Sequence, residues 1–231
     1  MTWIKICGTT NLEDALTAVD AGADALGFIF YAKSPRNVDP ETVREIVAKL
    51  PDMIEKVGVF VGTSMLDASD IADRCRLDMV QLYVPFSIET SLREASPLGA
   101  IASGQLKKTL LAFSAPDLMG DNPRINVEFS SFTKTAFNTI LLDSGTSQQP
   151  GGTGRPFDWK AAVPLLESMR QNLNVVIAGG LNPSNVTEAI RILNPWGVDV
   201  VSGVESSPGK KDPEKVRAFI SAVRKFEKST Q

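Results

Sequence analysis

Trp196-Gly197-Val198-Asp199-Val200-Val201-Ser202-Gly203 sets an aspartate just before an apolar, β-prone run. The same phrase occurs twice earlier, as Ala21-Gly22-Ala23-Asp24-Ala25-Leu26-Gly27-Phe28 and as Arg76-Leu77-Asp78-Met79-Val80-Gln81-Leu82. Each copy follows an amphipathic helical stretch, which is how a helix turns back into a parallel strand buried on both faces. Further apolar runs at Trp3–Cys7, Lys56–Val61, Leu106–Phe113, Thr139–Asp143 and Asn174–Ala178 complete eight strand candidates. Between them, helical periodicity marks Leu12–Asp20, Pro40–Leu50, Phe157–Met169, Pro183–Leu193 and Pro213–Phe226. Pro40, Pro183 and Pro213 fit the first helical turn, after capping Asp39, Asn182 and Asp212. Strands alternating with helices in this number predict an α/β chain of one domain, residues 1–231, folded as a (β/α)8 TIM barrel rather than an open doubly wound sheet. From Val84 to Asn138 the periodicity blurs, and Met119–Pro123 reads as a loop.

Composition narrows the function. The chain has 24 Lys and Arg against 27 Asp and Glu, a formal charge of −3 and no basic run. That balance disfavours nucleic acid and anionic membranes as partners and favours a small molecule. No apolar run approaches the roughly 20 residues of a membrane span, and the opening residues do not read as a secretory leader. The expected location is the cytoplasm, where Cys7 and Cys75 stay free thiols. No Gly-x-Gly-x-x-Gly follows a strand, Gly151-Gly152-Thr153-Gly154-Arg155 lacks the Lys-Ser/Thr ending of a P-loop, and no metal-ligand spacing occurs. The reading is therefore no cofactor and no metal. Histidine is absent, so proton transfer near neutrality falls to Cys, Asp, Glu, Lys or Tyr.

In a barrel the carboxyl ends of the strands converge on one face, where ligands bind. Cys7 stands at the end of the first strand, with Gly8 turning the backbone away. It reads as an acid-base group or, equally open from the residue alone, as a buried space-filler. Asp143 ends the sixth strand with apolar walls beneath it, where desolvation raises a carboxyl pKa and suits a general acid; a turn-capping aspartate is the alternative. Gly179-Gly180 and Ser202-Gly203 follow strands seven and eight, the position at which such barrels hold phosphate on backbone N–H groups. Arg36, in Lys33-Ser34-Pro35-Arg36, would give a substrate carboxylate a bidentate partner. Tyr83 lines the mouth after strand four, and Lys5 shares a strand face with Cys7 only if no bulge intervenes.

Seven motifs in order resemble phosphoribosylanthranilate isomerase. They are Lys5-Ile6-Cys7-Gly8; Gly22 to Phe28 with Lys33 to Arg36; Val57 to Val61; Leu141-Leu142-Asp143-Ser144; Gly151 to Gly154 with Phe157-Asp158-Trp159; Ala178-Gly179-Gly180-Leu181; and Val198-Asp199 with Ser202-Gly203-Val204-Glu205. The resemblance implies a cofactor-free Amadori rearrangement in tryptophan biosynthesis, by a monomer or homodimer acting on a phosphosugar. It implies Asp143 as the acid at the ribose ring oxygen, Cys7 as the base at the sugar C2 proton, Arg36 on the anthranilate carboxylate, and Gly179-Gly180 with Ser202-Gly203 on the phosphate. It leaves Asp199 structural and Lys5 without a part in activating Cys7. The family reads Gln-Leu-His-Gly after strand four where this chain has Gln81-Leu82-Tyr83-Val84, a departure expected to touch substrate affinity more than reaction type. A barrel lapsed into binding is a second reading. A sugar-phosphate epimerase or histidine-pathway isomerase is a third; the metal-dependent epimerases use His ligands that this chain lacks, and the histidine-pathway isomerases pair aspartates.

Overall fold

The computed structural model describes residues 1–83, 108–120, 138–145 and 154–229. In chain order the elements are β1 (Trp3–Cys7), α1 (Leu12–Ala21), β2 (Ala25–Phe30), α2 (Pro40–Val47), β3 (Glu55–Val61), α3 (Met65–Arg74), β4 (Met79–Tyr83) and β5 (Lys108–Ser114). Then come α4 (Ala115–Met119), β6 (Thr139–Asp143), α5 (Trp159–Arg170), β7 (Asn174–Ile177), α6 (Val186–Leu193) and β8 (Gly197–Val200). A short hairpin, β9 (Glu205–Ser207) and β10 (Lys210–Lys211), precedes α7 (Pro213–Ser229). Strands β1 to β8 pair in parallel, each with the next, and β8 pairs with β1 to close the barrel. The eight expected strands are all present, although Leu106, Lys107 and most of the blurred 84–138 stretch lie outside the described residues.

Two of the three repeated aspartates have a common job. Asp24 precedes β2 and its carboxylate accepts the N–H of Ile4 in β1 at 2.8 Å; Asp78 precedes β4 and accepts the N–H of Lys56 in β3 at 2.9 Å. Each satisfies a backbone donor at the start of the neighbouring strand, where no ladder partner remains. Asp199 departs from that pattern. It lies inside β8, in register with Lys5 of β1, and faces the bore.

Helix starts follow capping chemistry. Asn11, Asp39, Ser64 and Asp158 accept backbone N–H groups at the first turns of α1, α2, α3 and α5. Pro40 and Pro213 occupy first-turn positions as expected, and Asp212 accepts the N–H of Glu214 and Lys215. Pro183 does not. The Asn182 side chain accepts the N–H of Ser184 and its backbone N–H donates to Asn185 Oδ1, so 182–185 form a separate turn and α6 begins only at Val186.

Side-chain alternation sorts the core into two shells. Ile4 and Ile6 of β1 point outward to the helices, in a layer that includes Phe28, Phe60, Leu142 and Phe219. The bore is filled by Ala25, Val57, Met79, Leu110, Ala112, Leu141, Val176 and Ala178, with Trp3 stacked on Trp196 beside them, ring centroids 5.3 Å apart. This is a packed interior, as in other eight-stranded parallel barrels. Buried charged groups sit inside it as well, and they define the site.

Candidate active site

β1 is regular from Trp3 to Cys7, with no bulge in its pairing to β2, so Lys5 and Cys7 share the inner face. The expectation that Lys5 plays no part near Cys7 is thereby corrected. Lys5 is fully buried and donates to Asp199 Oδ1 at 2.7 Å, an ion pair that crosses the β1–β8 seam. Burial works against the ammonium, but Asp199 and Cys7 outweigh it and leave the Lys5 pKa raised. Asp199 borders the same cleft as Asp143.

Cys7 lies against Gly27 of β2, its register partner, where an added Cβ would come within 2.5 Å of Sγ. Burial pushes the thiol pKa up; Lys5 and Lys211 pull it down without reversing the rise, and Asp199 adds to it. The lowered thiol pKa wanted for a resting thiolate is therefore absent, and the free site holds a neutral thiol.

Asp143 ends β6, buried, with Oδ1 accepting the backbone N–H of Gly145 at 2.8 Å and Oδ2 accepting the Tyr83 hydroxyl at 2.8 Å. Burial raises its pKa most; the two donors and Lys5 oppose that rise, Asp199 adds to it, and the outcome is a carboxyl group above its ordinary range. Tyr83 is held well above the ordinary phenol range, first by burial and then by the neighbouring carboxylate. The departure at Tyr83 thus touches the carboxyl group itself. Gln81, also on β4 and 1 % exposed, has a side-chain oxygen with no partner among the described residues. It is a polar group that sequence spacing places in the bore but gives no role.

A small cleft runs from Asp143 and Asp199 to Gly179, Gly180, Val201 and Ser202. Gly179 and Gly180 have φ of 83° and 66°, and a Cβ on either would strike Ser144 or the Arg155–Pro156 backbone within 2.5 Å. Only glycine fits such a conformation without strain. Gly203 sits behind the cleft, with Leu181 O 1.9 Å from where its Cβ would be. Close packing accounts for these glycines in part, while their backbone edges the opening beside Ser202.

Arg36 is not a free loop charge. Its Nε and Nη2 donate to Glu205 Oε1 and Oε2 at 2.8 and 2.7 Å, a bidentate pair, and its stem passes over Gly8, where a Cβ would lie 2.8 Å from Arg36 Cδ. Glu205 also accepts from Lys211 Nζ at 3.2 Å, and that buried ammonium donates to the carbonyls of Cys7 and Val201 at 2.6 and 3.2 Å. Burial works against Glu205, but the two cations hold its carboxyl below the ordinary range. Burial lowers the Lys211 pKa against the pull of Glu205, and Asp14 adds a second carboxylate to the cluster by accepting the Lys211 backbone N–H at 2.7 Å. Lys211 and Glu205 were invisible as partners in the sequence, because β9 and β10 are too short for a periodic signal.

The family model described as N-(5'phosphoribosyl)anthranilate (PRA) isomerase matches residues 4–98 and 119–222. An N-(5'-phosphoribosyl)anthranilate isomerase from Geotalea uraniireducens is 43% identical over 224 residues, spanning 97% of this chain and 99% of that protein. The enzyme of the same name from Chlorobaculum parvum is 41% identical, spanning 99% and 97%. The crystal structure of phosphoribosyl anthranilate isomerase from Thermotoga maritima superposes with a TM-score of 0.78 at 36% identity, over 97% of this chain and all of that one. A structure of such an isomerase in complex with reduced 1-(o-carboxyphenylamino)-1-deoxyribulose 5-phosphate has a TM-score of 0.76 at 37% identity, with the same coverage.

Proposed function

This chain belongs to the N-(5'-phosphoribosyl)anthranilate isomerase family and is an isomerase of tryptophan biosynthesis; from that membership we propose that Asp143 and Cys7 are the acid and base of its Amadori rearrangement. The observation that supports the acid is the cleft lined by Asp143 together with the loop residues Gly179, Gly180 and Ser202; Cys7 is not among its lining residues, and its part rests on its place on the inner face of β1 beside Lys5. A phosphate held on those loops brings the ribose over the carboxyl group, and fixed proximity supplies much of the rate.

Asp143, kept protonated more readily by burial, gives its proton to the ribose ring oxygen. The C1–O bond breaks and the anthranilate nitrogen becomes a cationic Schiff base. That positive charge arises where Cys7 is buried, and an adjacent cation favours the thiolate over the thiol. The thiol proton leaves to solvent as that charge forms, so the thiolate base is made by the step that needs it. Cys7 removes the C2 proton, and the enolamine tautomerises to 1-(2-carboxyphenylamino)-1-deoxyribulose 5-phosphate. The Lys5 ammonium keeps the thiolate from standing alone in the bore.

Arg36 holds the anthranilate carboxylate. Glu205 takes only Nε and Nη2 of its fork of N–H donors, which leaves further donors of the guanidinium for an anion. Tyr83 borders the same mouth. The enzyme works in the cytoplasm without metal or cofactor, as a monomer or homodimer. The test is the loss of substrate fluorescence with Cys7→Ala and Asp143→Asn. Each variant should lose ~10²–10⁴-fold in kcat while binding a product analogue nearly as well as the parent. Near-parental kcat in either variant would remove that residue from the mechanism.

A further inference from the structure

Asp143 is gripped on both oxygens, and the two grips differ in kind. Oδ1 accepts a backbone N–H from Gly145, which can only donate; Oδ2 faces the Tyr83 hydroxyl, whose oxygen both donates and accepts. Tyr83 comes from β4 and Asp143 from β6, so the phenol spans β5. It can do so because Ala112, its register partner on β5, offers only a methyl group to the bore. When Asp143 takes up a proton, its carbonyl oxygen stays on Gly145 and the new O–H lies on Oδ2, against the phenol oxygen. The Tyr83 hydrogen is then released toward the mouth.

We propose that Tyr83 is a positioning residue for the acid: its hydroxyl fixes which oxygen of Asp143 carries the proton and sets the pH at which that proton is given up. The kinetic half of this rests on the assignment of Asp143 as the acid. The charged and titratable groups acting on Asp143 are Tyr83 from β4, Lys5 from β1 and Asp199 from β8, while Cys7 of β1 acts on Tyr83 and Lys5. Its neighbours in the sheet contribute no charge to the bore among the described residues. β7 has no ionisable side chain, and Lys108 of β5 pairs with Glu55 at the exposed end. Beside the Gly145 N–H, Tyr83 is therefore the uncharged side-chain donor that tunes Asp143 without altering the charge balance. A donor on a carboxylate favours the ionised form, so the phenol opposes the upward push of burial.

The experiment is a carboxyl ¹³C titration of enzyme labelled at aspartate, with the Asp143 signal identified by its loss in Asp143→Asn, alongside kcat–pH profiles. In Tyr83→Phe the Asp143 pKa should rise by about one unit, the size expected for one charge-assisted hydrogen bond. The alkaline limb of kcat should move up with it. A ring-fluorinated tyrosine installed at residue 83 is a stronger donor and should move both downward, which keeps the test open if the Phe variant folds poorly. An Asp143 pKa unmoved in both variants would overturn the proposal. Turnover surviving in Asp143→Asn would overturn the acid assignment instead, and the ¹³C titration would still decide whether Tyr83 governs that carboxyl group.

Discussion

Inside the bore, the Asp143 carboxyl group binds its proton more tightly than it does in the unfolded chain, because burial raises its folded-state pKa. Its contribution to stability is complete below the unfolded carboxyl pKa and is lost as pH rises through the raised folded value. Asn accepts the Gly145 N–H and presents an amide to Tyr83 without charge, so Asp143→Asn should gain stability relative to the parent as pH climbs from mild acid to neutrality. Urea midpoints for both proteins across that range check the sign; a constant difference would mean that Asp143 is not desolvated as described. At this scale the sequence displayed the two residues proposed as base and acid but not what tunes them. Cys7 and Asp143 stand at strand ends that can be counted, whereas the Tyr83–Asp143 contact joins residues 60 apart and Arg36–Glu205 joins residues 169 apart. Lys5 was within reach of the period-two rule, and only an unneeded allowance for a bulge hid it.

Among the elements, β2 makes room for β1. Gly27 has ordinary strand conformation, so its lack of a side chain serves space rather than backbone freedom, and the space belongs to the Cys7 thiol. Gly27→Ala should lower stability by ~1–3 kcal/mol, as overpacking does. It should lower kcat by more than the fraction unfolded explains, because the thiol proposed as the base is displaced. Urea unfolding and kcat on the folded protein separate the two effects; unchanged kcat would show that Cys7 has slack. The helix starts illustrate why boundaries were partly legible. Asp39 before Pro40 and Asp212 before Pro213 cap what they precede, but the similar Asn182-Pro183 closes a turn of its own. The dipeptides are too alike to tell the three apart: Asp212 makes the same bond to Glu214, and what closes 182–185 is the Asn182 backbone N–H donating to Asn185 Oδ1 at 2.8 Å.

For the molecule as a whole, closure of the barrel concentrates at one seam. β1 and β8 meet over Trp3 to Ile6, with Trp3 stacked on Trp196 at one end and the Lys5–Asp199 ion pair inside. Breaking a buried pair by removing one partner strands the other charge, so Lys5→Met and Asp199→Leu should each cost about 3–5 kcal/mol. Together they should cost much less than the sum. A double-mutant cycle by urea unfolding measures the coupling, and additive losses would show that the pair is not closing the seam. The barrel was legible from strand count and alternation because those are local and repeated. The third repeated aspartate misled because Asp199 lies two residues into β8 rather than before it, a shift that moves it from capping duty to the bore.

Lys5 and Asp199 are 194 residues apart, which gives their contact a place in time. During synthesis β1 emerges long before β8, so until β8 arrives β1 is an open edge of an unfinished sheet. An edge strand left bare invites pairing with a neighbouring chain, and an inward-pointing charge is one of the devices that discourages it. A hydrated ammonium on the face that must later become dry makes the half-built barrel a poor partner for any strand that cannot supply a carboxylate at the matching register. β8 of the same chain does supply it, so the group that steadies the thiol in the finished enzyme also guards the nascent one against the wrong closure.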